Sequence, residues 1–144
     1  MSEKTYPIAP NGVFQTIQGE GVLFGVPMLF VRLAGCSIGC PECDTDYRVS
    51  SRVTIATLSS LVSQRLYGVT RWAWITGGEP TDHDLTPIVA MLRDKGLRVA
   101  LATAGTRPVQ MGLIYSGVDF LSVSPHTIDY SWVQRRGDQV NLVP

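Results

Sequence analysis

"PMLFVRLAGCSIGCPEC", residues 27–43, decides how this chain is read. Residues 27–35 are a near-continuous apolar run of strand type. Residues 36–43 hold Cys36, Cys40 and Cys43, which are all the cysteines of the chain. An odd number of thiols argues against a secreted disulfide framework. Thiolates bind soft or borderline metals, and Cys-x3-Cys-x2-Cys is tight enough to wrap three sulfurs around one compact object. Two occupants follow. A structural zinc wants four protein ligands, so its fourth would come from a distant His83 or His126, the only histidines. A [4Fe–4S] cluster usually takes four thiolates, so three leave one iron open to another ligand.

Working outward, strands and helices alternate. "TIATLSSLVSQRLY" (54–67) sets Ile55, Leu58, Leu61, Val62 and Leu66 on one helical face, with Thr54 as N-cap. "RWAWIT" (71–76) is the next strand. "DLTPIVAMLRDKG" (84–96) has Leu85, Ile88, Val89 and Leu92 at helical spacing, and Gly96 suits the position just past the helix end. A strand follows at 97–103, a short helix or turn at 108–117, a strand at 119–124, and the start of another at 139–143. This order predicts an α/β fold, a partial (β/α) barrel of mostly parallel strands with helices outside. Ligands of such sheets sit at the carboxyl ends of the strands. The cysteine loop, "TGGEP" (76–80), "TAGT" (103–106) and "SPH" (124–126) each follow one strand, so they converge on one rim.

Length and composition agree with one domain. The chain has 144 residues, 44% hydrophobic and 17% charged, enough for a real core without staples and far from a disordered composition. Its formal net charge is zero, and nothing in it resembles a basic nucleic-acid surface or a polybasic membrane anchor. "MSEKTYPIAPNG" (1–12) is polar and lacks the apolar core of a secretory signal. No apolar run reaches the roughly 18 residues a membrane helix needs. A cytoplasmic location is the default expectation.

"TGGEP" supplies the second chemical element. Gly77 and Gly78 let the backbone approach a ligand closely, Glu79 adds an acceptor, and Pro80 fixes the turn. Placed one strand after Cys-x3-Cys-x2-Cys, it resembles the radical SAM superfamily. There the open iron is chelated by the amino and carboxylate groups of S-adenosylmethionine (SAM), whose reductive cleavage releases a 5′-deoxyadenosyl radical. "FQTIQGEGVLFGVPMLFVRLAGCSIGCPECDTDY" (14–47) narrows this. "TIQGEG", then G-x-P, then "FVRL"-x-"GC", then "CDT", resembles the 7-carboxy-7-deazaguanine synthase family of the queuosine pathway. The likeness runs to about residue 126 and fades beyond it.

That resemblance implies the ring contraction of 6-carboxy-5,6,7,8-tetrahydropterin to 7-carboxy-7-deazaguanine with loss of ammonia. It also implies a [4Fe–4S] cluster, SAM and Mg²⁺ as cofactors, an external flavodoxin-like or ferredoxin-like electron donor, and a homodimer. Carried over residue by residue, it puts the cluster on Cys36, Cys40 and Cys43 and magnesium on Thr45, where the residues alone would point to Asp44 or Asp46. SAM would meet Glu42, Cys43, Asp44, Gly77, Gly78, Glu79, Ser124, Pro125 and His126. Within residues 1–26, the N-terminal segment, Ile17, Gln18 and Gly19 would read the pterin edge. Arg32 and Thr76, from the barrel of residues 27–144, would complete the substrate site. Arg32 lies in an apolar strand, where an unpaired charge is costly. Its partner is the substrate carboxylate, held bidentately, or a structural acid such as Glu20.

The sequence departs from the family in three places. Glu42 stands where an aromatic residue is usual, and His126 where a lysine is usual. Family members continue past the position of "VNLVP" with a further strand and a C-terminal segment. The chain therefore reads as a C-terminally shortened barrel, either a compact variant or a piece.

Overall fold

The computed structural model describes residues 3–35, 51–105, 117–124 and 139–140. Along the chain run β1 (Thr5–Ile17), β2 (Pro27–Leu33), β3 (Ser51–Thr54), α1 (Ile55–Arg65) and β4 (Trp72–Gly77). A 3-10 turn (Pro80–Asp82), α2 (Thr86–Asp94), β5 (Arg98–Thr103), β6 (Phe120–Val123) and β7 (Gln139–Val140) follow. The strands make one sheet in the order β3-β1-β2-β4-β5-β6-β7. From β2 to β7 each neighbouring pair is parallel, as the alternation of strands and helices predicts. The 108–116 part of the expected helix or turn lies outside the described residues.

Two strands escape the sequence reading. β1 lies antiparallel between β2 and β3, so residues 5–17 of the N-terminal segment belong to the sheet. Pro7, Pro10 and the Asn11-Gly12 pair interrupt any clean alternation there. The register shows why they are tolerated. Ile8 faces Leu33 and Val13 faces Val31, so the residues between them form a bulge. Asn11 takes φ 51° within it. A Cβ on Gly12 would stand 2.5 Å from the Ile8 side chain and 2.7 Å from the Arg32 carbonyl oxygen, so only glycine fits.

The period-2 alternation of each strand splits the side chains between two faces. One face holds Leu29, Val31, Leu33, Ala73, Ile75, Val99, Leu101, Leu121 and Val123, and both helices pack on it. α1 contributes Leu58 and Val62 with Ile55, Leu61 and Leu66 around them, and α2 contributes Ile88, Val89, Met91 and Leu92. Thr54 caps α1 as expected, its hydroxyl accepting from the Thr57 N–H at 3.2 Å. Gly96 follows the Lys95 cap of α2 at φ 80°, the left-handed turn expected of it. α2 starts two residues later than the hydrophobic spacing suggests, because the Asp84 carboxylate accepts from the Thr86 N–H at 3.1 Å ahead of the first turn.

Asp84 also ties down the chain start. Its carboxylate accepts from Lys4 Nζ at 2.8 Å, and its carbonyl accepts the Tyr6 hydroxyl at 2.7 Å. The Lys4 hydrogen bond, helped by the Thr86 N–H, holds the Asp84 carboxyl down to about 2. A carboxyl that binds its proton more weakly when folded stabilises the fold above its unfolded value and loses that contribution as the pH falls through its folded value. Stability should therefore dip between about pH 4 and about pH 2. The exposed pair makes the dip small, and Asp84→Asn should flatten it in acid titrations followed by circular dichroism. An unchanged acid limb in that variant would refute the assignment.

A second stability test comes from Thr70, which is 3% exposed. Its hydroxyl oxygen has no hydrogen-bond partner among the described residues. Thr70→Val should raise stability by about 1 kcal/mol, a Tm gain of roughly 3 °C. A fall in Tm would show that the hydroxyl is bonded.

Candidate functional site

The parallel strands end at a common rim, and their ends are joined by hydrogen bonds. At β4, the Gly78 N–H donates to the Leu33 carbonyl at 3.2 Å and the Glu79 N–H donates to the Gly35 carbonyl at 3.3 Å. Gly35 is the residue just before Cys36. The approach of these two strand ends is extreme. A Cβ on Gly77 would lie 2.2 Å from the Leu33 oxygen and 2.6 Å from the Leu33 nitrogen, and Gly77 has φ 137°.

Glu79 extends the junction to β5. It is 1% exposed. One carboxylate oxygen accepts from the Ala104 N–H at 2.7 Å and the Thr103 hydroxyl at 2.9 Å. The other accepts from the Thr81 N–H at 3.0 Å, the Thr81 hydroxyl, and the Thr103 hydroxyl at 2.8 Å. The single Thr103 proton is thus shared between both oxygens. The same hydroxyl accepts from the Gly105 N–H at 3.2 Å, and the Thr103 carbonyl accepts from the Ser124 N–H at 2.9 Å. A continuous belt therefore runs across the ends of β2, β4, β5 and β6. A carboxylate offers about four lone-pair sites, so the acceptor capacity expected to face a ligand is taken up inside the fold. No cation pairs with Glu79 among the described residues.

Below the rim, the sheet face turned away from both helices carries Met28, Trp74 and Ala100, buried, with Phe30, Trp72, Ala102 and Phe120 half-buried around them. Phe14, Phe30 and Trp74 are cross-strand neighbours in a row. Their ring centroids are 5.1 and 6.2 Å apart. Arg32 stands one step nearer the rim on this face, paired across the strands with Thr76. Both are half-buried. The Arg32 guanidinium lies 5.2 Å from the Phe14 ring centroid. Among the described residues it has no acidic partner, so the structural pair with Glu20 does not form.

Ile17, Gln18 and Gly19 are not at this rim. Ile17 pairs with Pro27, at the other end of β2, and Arg32 is five residues on, about 16 Å along the strand. Gln18 is buried, 4% exposed. Its main-chain N–H donates to Val26 and its carbonyl accepts from Gly25. Its side-chain oxygen accepts from the Gly19 N–H at 3.0 Å. Among the described residues the amide nitrogen reaches only the Met28 sulfur, at 3.8 Å, a weak acceptor.

Cys36, Cys40, Glu42, Cys43, Asp44, Thr45, Pro125 and His126 lie outside the described residues. Among the described ones no three His, Cys, Asp or Glu side chains gather as a metal site, and no helix is long and apolar enough to cross a membrane. The sequence reading missed the aromatic row and the tie between Glu79 and Thr103. Period-2 spacing of Met28, Phe30, Trp72 and Trp74 carries a trace of the first. The second has no local signal, since 24 residues separate its partners.

No family model matches the chain. Curated relatives do. A 7-carboxy-7-deazaguanine synthase of Synechocystis sp. is 36% identical over 84% of this chain and 55% of its own length. One of Aquifex aeolicus is 42% identical over 69% of this chain and 46% of its own. The Escherichia coli enzyme of that name is 37% identical over 73% of this chain and 56% of its own. The chain thus spans about half the length of the curated relatives it matches. The crystal structure of QueE from Escherichia coli superposes with a TM-score of 0.77 at 28% identity, covering 96% of this chain and 70% of that one.

Proposed function

Since this chain belongs to the 7-carboxy-7-deazaguanine synthase family, we propose that it carries the core of that activity as a cytoplasmic homodimer. It would convert 6-carboxy-5,6,7,8-tetrahydropterin to 7-carboxy-7-deazaguanine and ammonia. Cys36, Cys40 and Cys43 would hold a [4Fe–4S] cluster. Glu42, Cys43, Asp44, Gly77, Gly78, Glu79, Ser124, Pro125 and His126 would frame SAM, and Thr45 would offer an oxygen to Mg²⁺. When bound and reduced by a flavodoxin-like or ferredoxin-like donor, the cluster supplies the electron that splits SAM at its sulfonium.

The observation that carries the reading is the junction of two strand ends. Gly78 and Glu79 donate to the carbonyls of Leu33 and Gly35, so the glycine turn abuts the residue before the first thiol. The charge at the rim also suits a cationic ligand, acting through space and not through a free lone pair. A buried carboxylate with no described counter-charge lies beneath that turn. Arg32 and Thr76 would take the substrate carboxylate. The Phe30 and Trp74 rings give a flat heterocycle an apolar floor, and Gln18 would meet its far edge.

The test is anaerobic reconstitution with iron and sulfide. A brown protein absorbing near ~400 nm, with about four irons and four sulfides, that converts the carboxypterin when given SAM and reductant supports the reading. A colourless protein holding one zinc would overturn it. Cleavage of SAM with no effect of the carboxypterin would point to another radical SAM activity.

A further inference from the structure

We propose that Glu79 is a positioning residue for the nucleotide pocket, acting through Thr103 rather than by touching the ligand. This rests on the SAM reading above and assigns work within that site. Glu79 holds two things at once. Its N–H holds the Gly35 carbonyl beside Cys36, and its carboxylate holds the hydroxyl of Thr103 and the N–H of Ala104. Both carboxylate oxygens are occupied, and the residue is 1% exposed. A side chain in that state has no lone pair left for an incoming ammonium. What it controls is the path of residues 103–105. The Thr103 hydroxyl, fixed by Glu79, accepts from the Gly105 N–H. The Thr103 carbonyl fixes the Ser124 N–H. Removing the carboxylate would therefore displace the β5 and β6 rims relative to the glycine turn, with no ligand contact deleted. Partners that orient metal ligands cost about 10- to 100-fold when lost, and by analogy cutting this tie should cost about tenfold or more in SAM affinity.

The experiment is a double-mutant cycle on SAM affinity in the reconstituted protein, read by calorimetry without turnover. Glu79→Gln and Thr103→Val should each weaken SAM binding about tenfold or more. The double variant should be no weaker than the poorer single one, because one tie is cut either way. Thr103→Ser keeps the hydroxyl and should stay within about twofold of wild type. Should Glu79→Gln fail to fold, the Thr103 pair still decides the matter. Loss of affinity in Glu79→Gln with none in Thr103→Val would mean that Glu79 does not act through Thr103 and would overturn the proposal. Lower melting temperatures with unchanged affinity would reduce the tie to a scaffold and also overturn it. A wild type that takes up its cluster but binds no SAM would sink the SAM reading, and this proposal with it.

Discussion

Gly77→Ala is expected to be about 4 kcal/mol less stable than wild type, a large share of the roughly 5–15 kcal/mol a domain has. Two costs combine. The new methyl would stand 2.2 Å from the Leu33 carbonyl oxygen and 2.6 Å from its nitrogen. Those are backbone atoms of the neighbouring strand, which cannot swing aside as a side-chain tip can. Overpacking of this kind costs about 1–3 kcal/mol. Residue 77 also has φ 137°, a conformation that only glycine adopts freely, for about 1–3 kcal/mol more. Urea unfolding measures the sum. Gly19→Ala is the control, since nothing lies within 4 Å of its added methyl, and it should change stability by no more than about 0.5 kcal/mol. Any relief would come from parting β2 and β4 at the rim, so folded Gly77→Ala should also hold its cluster poorly. Near-wild-type stability would mean that the two strand ends are not pressed together.

Arg32→Met should behave in the opposite way, sparing the fold and disabling the substrate site. The guanidinium is half-buried, stacks on Phe14 and has no acid partner among the described residues. Methionine retains the apolar stem, so stability should stay within about 1 kcal/mol of wild type. In turnover, loss of a hydrogen-bonded charge pair with the substrate carboxylate should cost about 2–4 kcal/mol in kcat/KM, or roughly 30- to 1,000-fold. SAM affinity should be unaffected. Had Arg32 been half of a buried structural pair, stability itself would fall by about 3–5 kcal/mol. The two measurements together therefore separate the roles. Unchanged kcat/KM would remove Arg32 from the site.

The places and apolar faces of α1 and α2, the parallel order of the central strands and the gathering of their ends could all be read from residues alone. Helical spacing at Leu58 and Val62, or at Ile88 and Leu92, reports directly which side of a helix is apolar. Gly96 and Thr54 act through their own neighbours. Such features depend on contacts a few residues apart, and local pattern records them. β1 was hidden for the converse reason. Its Pro10-Asn11-Gly12 interruption reads as a turn until β2 is beside it. Only then does the bulge appear, with Gly12 pressed against the Arg32 carbonyl.

For the site, the kinds of residue were determined by the sequence: three thiols, a glycine turn and a cation in an apolar strand. Their use was decided by tertiary structure. Glu79 looked like a free acceptor, yet Thr103 and Ala104, distant in the chain, occupy its oxygens. Gln18 and Arg32 were both expected to meet the substrate, yet the hairpin register sets Gln18 beside the opposite end of β2. A hydrogen-bonding group is spent on whatever the fold brings within reach, and that reach is set by strand pairing across the sheet rather than by position along the chain.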